Sequence, residues 1–337
     1  MDQRGCEGPP ARLRSGVARG AARFWATLKA QARALRQGLP LVVWVPALLA
    51  SGGLSPTALA TVAEVELPFS AVVPASAFPL EVTAEVARWK TRFRATEGEA
   101  FQRLLGRQEV YAELILSHLR ERGMPEDLQY LAMMESGLSN RAVSHASAAG
   151  LWQLMEGTAL ELGLRVDEWV DERRDPVRST AAALDYLARL YERYGSWYLA
   201  IAAYNAGPGK VDGVVRRHAG GRWGDEAVYW EVRRHLPRET QDYVPRLVAA
   251  TLVAVDPSWP SVTLPETEPY RYERVFVPGG TSVSRVAWIL GVESRALHAL
   301  NRHLLQGVTP PGESYPLRVP PGLSDEVVAL LGGRLRS

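Results

Sequence analysis

The stretch MPEDLQYLAMMESGLSNRAVSHASAAGLWQLM, Met124 to Met155, decides how this chain is read. Pro125 with Glu126 and Asp127 suits the first turn of a helix, where proline forfeits no hydrogen bond and acids meet the positive end of the dipole. From Leu128 the apolar residues fall at Leu128, Leu131 and Ala132, and Glu135 takes the next place on that face. This is the spacing of a core-facing helical stripe. It points a carboxylate inward in the last turn, just before Ser136 and Gly137 end the helix. Burial disfavours the anion, and so does the negative end of the helix. Both raise the pKa toward that of a general acid at neutral pH. The alternative is a glutamate at a helix end that points into water.

Around this stretch lies a chain of 337 residues, enough for about two domains. Its 47% hydrophobic and 23% charged residues describe a globular protein with material for a sizeable core. The net charge of +2 conceals a division. Residues 1–60 are strongly basic and the rest is slightly acidic, which leaves no basic excess for nucleic acid. Cys6 is the only cysteine, so no intramolecular disulfide and no cysteine metal site is expected. His118, His145, His218, His235, His298 and His303 are scattered without ligand spacing, and neither a metal nor another cofactor is expected. His118 continues the apolar face of its helix and reads as a core-edge histidine.

Arg12 to Arg36 is basic and acid-free, Leu39 to Ala50 is apolar, and Ala58-Leu59-Ala60 offers a signal-peptidase pattern. Residues 1–60 therefore read as a signal peptide, with an uncleaved N-terminal anchor and membrane association through residues 39–50 as the alternative. Either reading makes the protein exported, to the periplasm or cell envelope. Residues 61–80 read as a linker. Helical periodicity then occupies 81–256, with helices expected at Glu81–Thr96, Glu99–Arg122, Leu128–Ser136, Gly157–Leu162, Ser179–Tyr194 after an Asp175-Pro176 start, Trp197–Asn205 and Glu239–Val255. Ala206-Gly207-Pro208-Gly209 reads as a stop, and Pro245 as a kink or a fresh start. No strand is expected in this block.

A Pro-rich linker at 257–271 marks a boundary. Beyond it, Tyr272–Val277 and Tyr315–Val319 read as strands, and Val283–Leu290 and Ser294–Asn301 as short helices. A β-α-α-β unit over 272–322 is small for elaborate catalysis and suits a binding module. The fold class is mainly α, with a small βααβ domain.

Several blocks now stand in a recognisable order: Glu135-Ser136, Ser144 to Ala149, Gly150-Leu151-Trp152-Gln153-Leu154 and Ala203-Tyr204-Asn205-Ala206-Gly207. They resemble the soluble-lytic-transglycosylase (SLT) domain over roughly residues 85–256. The Asp175-Pro176 to Ala183 run and Leu236-Pro237-Arg238-Glu239-Thr240 with Tyr243-Val244 look like the membrane-bound transglycosylase D branch. The family often has Pro where Asn140 stands and Met-Pro where Met155-Glu156 stands. The tail resembles a LysM repeat through Gly279-Gly280-Thr281, Leu300-Asn301 and Leu317 to Pro320.

The resemblance implies a lysozyme-like (goose-type/SLT) catalytic domain that cleaves the MurNAc-GlcNAc β-1,4 bond of peptidoglycan glycan strands and leaves a 1,6-anhydroMurNAc end. Glu135 would be its single acid/base, with Ser136, Ser144, Gln153, Tyr204, Asn205 and Tyr243 around the substrate. All but Asn205 have a plain structural alternative: a helix-end hydroxyl for Ser136, a turn residue for Ser144, a buried amide for Gln153, and core aromatics for Tyr204 and Tyr243. Asp175 and Asp185 are distant acids that stay open as partners. The other readings are a peptidoglycan hydrolase of lysozyme type and a non-catalytic peptidoglycan-binding protein. Oligomeric state is not legible.

Overall fold

The computed structural model describes residues 78–258 and 268–332. The expectations for the signal or anchor segment at 1–60, the apolar run at 39–50, Cys6 and most of the two linkers lie outside those residues. Nine helices of four or more residues occupy the first part: α1 (Ala84–Arg94), α2 (Gly98–Glu121), α3 (Gln129–Ser136), α4 (Glu156–Glu161), α5 (Pro176–Tyr194), α6 (Trp197–Ala206), α7 (Pro208–His218), α8 (Glu226–Val232) and α9 (Arg238–Ala254). Among the described residues this part contains isolated bridges but no strand.

The centre is α6, whose first seven residues, Trp197 to Ala203, are all buried. A helix apolar on every side has to be surrounded, and α6 packs against α5, α7, α8 and α9. Its N-terminus is closed by Glu226 of α8, whose carboxylate accepts from the Trp197 amide (2.7 Å), the Tyr198 amide (2.8 Å) and the Ser196 hydroxyl (2.6 Å). A carboxylate there satisfies donors that the helix cannot and meets the positive end of its dipole. Ahead of α1, Phe78 is buried edge-on against Tyr198, with ring centroids 6.1 Å apart.

Two expectations are corrected. The stop at Ala206–Gly209 ends α6, but Pro208 is also the first residue of α7, because proline fits the first helical turn as well as it ends a preceding helix. Helices α7 and α8 were not anticipated. Pro245 neither kinks nor restarts α9, which runs through it. Proline withholds the amide that would have bonded the Gln241 carbonyl. That oxygen instead accepts from Arg233 Nε at 2.5 Å and from the Tyr229 hydroxyl at 3.3 Å. An outside guanidinium does the work of the missing N–H.

The tail pairs β1 (Glu273–Val277) antiparallel with β2 (Tyr315–Val319), Val275 opposite Leu317. Between them lie α10 (Val283–Ile289) and α11 (Ser294–Leu300), and α12 (Ser324–Gly332) follows β2. Asn301 stitches this unit together. Its Nδ2 donates to the Leu297 and Arg318 carbonyls (2.9 and 2.7 Å), and its Oδ1 accepts from the Arg318 amide (2.9 Å). Gly279 allows the β1–α10 turn to close, since a Cβ there would lie 2.5 Å from the Pro310 carbonyl oxygen.

The tail is packed onto the helical part. Val170 belongs to the tail's apolar cluster, and it pairs with Leu304 as an isolated antiparallel bridge. Asp175, the N-cap of α5, accepts from the Val177 and Arg178 amides and also from Arg318 Nη2 of β2 at 2.6 Å. His303 lies 3.7 Å from the same carboxylate oxygen, and all three side chains are buried. Across this seam Arg318 Nη1 also donates to the Tyr270 hydroxyl (3.1 Å), whose ring rests on Tyr111 of α2.

Candidate active site

Helix α3 ends as its sequence dictates. Ser136 is its last residue and Gly137 caps it in the left-handed region at φ +60°, donating its amide to the Met133 carbonyl. Leu128, Leu131 and Ala132 are fully buried, and Glu135, on the same face, is half-buried. Among the described residues no guanidinium donates a hydrogen bond to its carboxyl. The Tyr243 hydroxyl of α9 donates to Glu135 Oε1.

Burial is the largest influence on the Glu135 carboxyl and pushes its pKa up to about 7. The Tyr243 hydrogen bond opposes that shift, the Glu239 carboxylate adds to it by repulsion, and Arg246 weakly opposes it. Tyr204 and Tyr243 are both pushed well above the ordinary tyrosine value, first by burial and then by the nearby Glu135. They stay neutral hydroxyl donors. The result is a carboxyl that holds or releases its proton near neutrality, beside two phenols that do not ionise.

The remaining expected residues fall into two groups. Tyr204 joins the Glu135–Tyr243 pair electrostatically, while its hydroxyl donates to the Trp152 carbonyl at 2.7 Å. Asn205 follows it at the end of α6, accepting from the Thr240 hydroxyl (2.7 Å) and donating to Glu239 (3.4 Å). The Ser136 hydroxyl donates to the Leu151 carbonyl at 2.8 Å and accepts from the Ser139 amide at 3.1 Å. It ties the end of α3 to the loop that follows.

Ser144 and Gln153 lie on that loop, and among the described residues no hydrogen bond joins either to Glu135. Ser144 is exposed, its Oγ accepting from the Ala148 amide at 3.0 Å. Gln153 Nε2 donates to the Gly150 carbonyl at 2.9 Å. The loop is strained: Leu138, Ser147 and Gln153 are the three described non-glycine residues with left-handed backbone, at φ +60°, +62° and +47°. Gly150 presses so close to the Arg173 carbonyl that a Cβ would lie 1.7 Å from its oxygen. Arg173, bound to Asp171 at 2.8 Å, also donates to the Ser147 carbonyl at 2.9 Å. The loop is thus fixed from the side of the tail seam.

Sequence reading missed Glu239 and Arg246. The signal was present: Glu239, Tyr243 and Arg246 stand at i, i+4 and i+7, one face of α9. Arg246 is partly buried, its Nε has no hydrogen-bond partner, and its guanidinium lies over Trp89 at 5.5 Å. Asp175 and Asp185 are committed elsewhere, to Arg318 and to Arg122 (2.9 Å) respectively. Glu156 is exposed at the start of α4, and His118 sits at the core edge beside Arg122. Among the described residues no group of three or more His, Cys, Asp or Glu side chains could hold a metal ion, and no helix is long and apolar enough to cross a membrane.

Residues 115–221, which run from α2 through the central helix α6 to the end of α7 and include Glu135, match the Transglycosylase SLT domain family. Residues 271–332 match the family described as Lytic transglycosylase MltD, LysM-like domain. In these two segments the chain is similar to the SLT-domain transglycosylases and to the branch whose members carry this LysM-like domain. It is 34% identical over 197 residues to the membrane-bound lytic murein transglycosylase D of Escherichia coli K12, covering 58% of this chain and 43% of that protein. It spans less than half the length of that relative. Among solved structures, the 70 kDa soluble lytic transglycosylase of Escherichia coli aligns over 51% of this chain and 30% of that one at 24% identity, with a TM-score of 0.38. An inactive mutant of the Slt transglycosylase of Pseudomonas aeruginosa aligns over 42% and 23% at 23% identity, with a TM-score of 0.35.

Proposed function

We propose that the chain is a lytic transglycosylase of the cell envelope that cleaves the MurNAc-GlcNAc β-1,4 bond of peptidoglycan and leaves a 1,6-anhydroMurNAc end. The observation that carries this reading is the Glu135 carboxyl, pushed up to about 7 by burial while Tyr243 donates to it. Protonated, it can give its proton to the glycosidic oxygen as the bond to C1 breaks. As the resulting carboxylate it can take the proton of the muramic C6 hydroxyl, whose oxygen then closes on C1. One group with a pKa near the working pH serves both steps, and no water enters. Tyr243 supports the carboxylate phase, since its hydrogen bond favours the anion. Asn205, aligned by Thr240, offers an amide suited to an N-acetyl group.

A hydrolytic reading is favoured by one observation, the exposed Glu239 carboxylate that faces the same site. Hydrolases of this general kind use two carboxyls, the second activating water or attacking the sugar. The two readings separate by product mass. Purified peptidoglycan digested with the full chain, with Glu135→Gln alongside, is expected to give anhydromuropeptides from the wild type only. Products heavier by one water, lost on Glu239→Gln, would move the assignment to hydrolysis.

A further inference from the structure

Beside the seam between the two domains lies a cleft of about 490 Å³, lined by Arg141 and Arg174 of the helical domain and by His298, Asn301, Arg302 and Gln306 of the tail. No carboxylate lines it. Of its three arginines only Arg174 has an ion-pair partner among the described residues, Asp171 at 3.3 Å. Arg302 is half-buried, and its pKa is held down first by burial and then by the like charges of Arg141 and Arg295. His298 is likewise held below its ordinary value by burial and by Arg302.

Such an arrangement is costly. Like charges around one concave, partly desolvated space repel, and the protein supplies little to offset them. The chain beyond residue 60 carries more acidic than basic residues, so the cationic cleft is a local arrangement against the general balance. A bound anion would offset the repulsion, and guanidinium forks suit carboxylates, which they can hold with two parallel hydrogen bonds. The volume is that of an ordinary ligand site.

Position decides which anion. Arg141 lies between Glu135 and Ser144, on the strained loop that leaves the catalytic helix. The loop that leaves the helix of Glu135 thus supplies one wall of the cleft, and the tail supplies the other. On a peptidoglycan strand, the substrate proposed above, the pendant groups are short peptides that carry free carboxylates. We propose that the cleft is a subsite for these peptide-stem carboxylates, with Arg141 and Arg302 as anchors contributed by the two different domains. The tail then does more than hold the wall: it completes a site for the substrate.

The test is titration calorimetry of the full chain carrying Glu135→Gln, so that nothing turns over. The probes are a stem tetrapeptide with free carboxylates, the same peptide with every carboxylate amidated, and inorganic phosphate. The free-carboxylate peptide is expected to bind at least tenfold more tightly than the amidated one, with an affinity that falls as salt rises. Arg302→Gln and Arg141→Gln are each expected to weaken it about tenfold, and Arg141, exposed on its loop, leaves the fold untouched when changed. Equal binding of the two peptides, absence of binding, or indifference to Arg141→Gln would overturn the proposal. Phosphate binding as tight as the peptide would also overturn it, leaving a general anion site. Digestion of peptidoglycan by the wild type, run in parallel, reports on the glycan reaction separately. Its failure beside intact, arginine-dependent peptide binding would remove the lytic reading alone.

Discussion

Asp175 and Glu135 are two carboxyls removed from water in the same molecule, and they have opposite fates. Burial acts on both in the same sense, toward the neutral acid. Around Asp175 it is outweighed: Arg318, His303 and the amides at the start of α5 hold the carboxyl below the ordinary range, as a permanent anion. Around Glu135 the partners are a single phenol, a repelling carboxylate and a distant guanidinium, and burial wins. The N-terminus of a helix favours the first anion, and the C-terminus disfavours the second. A paired charge becomes architecture; a carboxyl left short of partners can exchange its proton near neutrality.

The widest separation should appear when each carboxyl is neutralised. Glu135→Gln is expected to lower cleavage of peptidoglycan by at least about a thousandfold, as removal of an acid/base group does, while the fold persists. Thermal melts should sharpen this. The folded state holds the Glu135 proton up to about pH 7 and the unfolded chain only to about 4.5, so wild-type stability falls as pH rises between those values. Glu135→Gln should therefore stabilise the protein at pH 8 relative to pH 4, by about 2 kcal/mol after discounting for partial exposure. Loss of stability at pH 8 would break the contrast.

Asp175→Asn should do the reverse. It leaves Arg318 buried without its anion, and the expected cost is about 3–5 kcal/mol in denaturant melts, with Arg318→Met on the same background recovering part of it. No loss would mean the seam is ornamental.

His303 probes the same seam by pH alone. It is buried beside Asp175 and held neutral, its pKa pushed down to about 4 mainly by burial, so the unfolded chain binds its proton first as pH falls below 6.5. Stability is expected to drop between pH 6.5 and 4 by up to about 3 kcal/mol, and His303→Gln should flatten that limb. The smallest effect is expected for Tyr243→Phe, a loss of roughly tenfold in rate with the alkaline limb of the pH profile moved upward, since the removed hydrogen bond favoured the carboxylate. A downward shift would assign Tyr243 a different role.

Much of the candidate site was legible because its information is local. Leu128, Leu131, Ala132 and Glu135 share one helical face, and Gly137 ends that helix with the left-handed residue a C-cap demands. Asp175-Pro176 announced α5 for the same reason: the capping carboxylate and the first-turn proline are adjacent in the chain. What stayed hidden depends on distant partners. Nothing near Gln241 reveals that Arg233 completes its hydrogen bonding and lets α9 pass through Pro245. Nothing near Asp175 foretells Arg318. Glu239 and Arg246 were readable in principle, since they share a face with Tyr243, but a face is only worth reading once its neighbour across the cleft is known.

The Asp175–Arg318 contact spans 143 residues of sequence. Closing so long a loop costs entropy that only the finished seam repays, so the contact is expected to form after the more local contacts of the two apolar clusters. Until then the tail displays an apolar face waiting for Val170, together with an arginine that has no counter-charge. Refolding should therefore pass through a species with both domains formed and the seam open. During synthesis β2, which brings Arg318, is the last element of the seam to emerge, and the helical part spends that interval with Asp175 lacking its guanidinium partner.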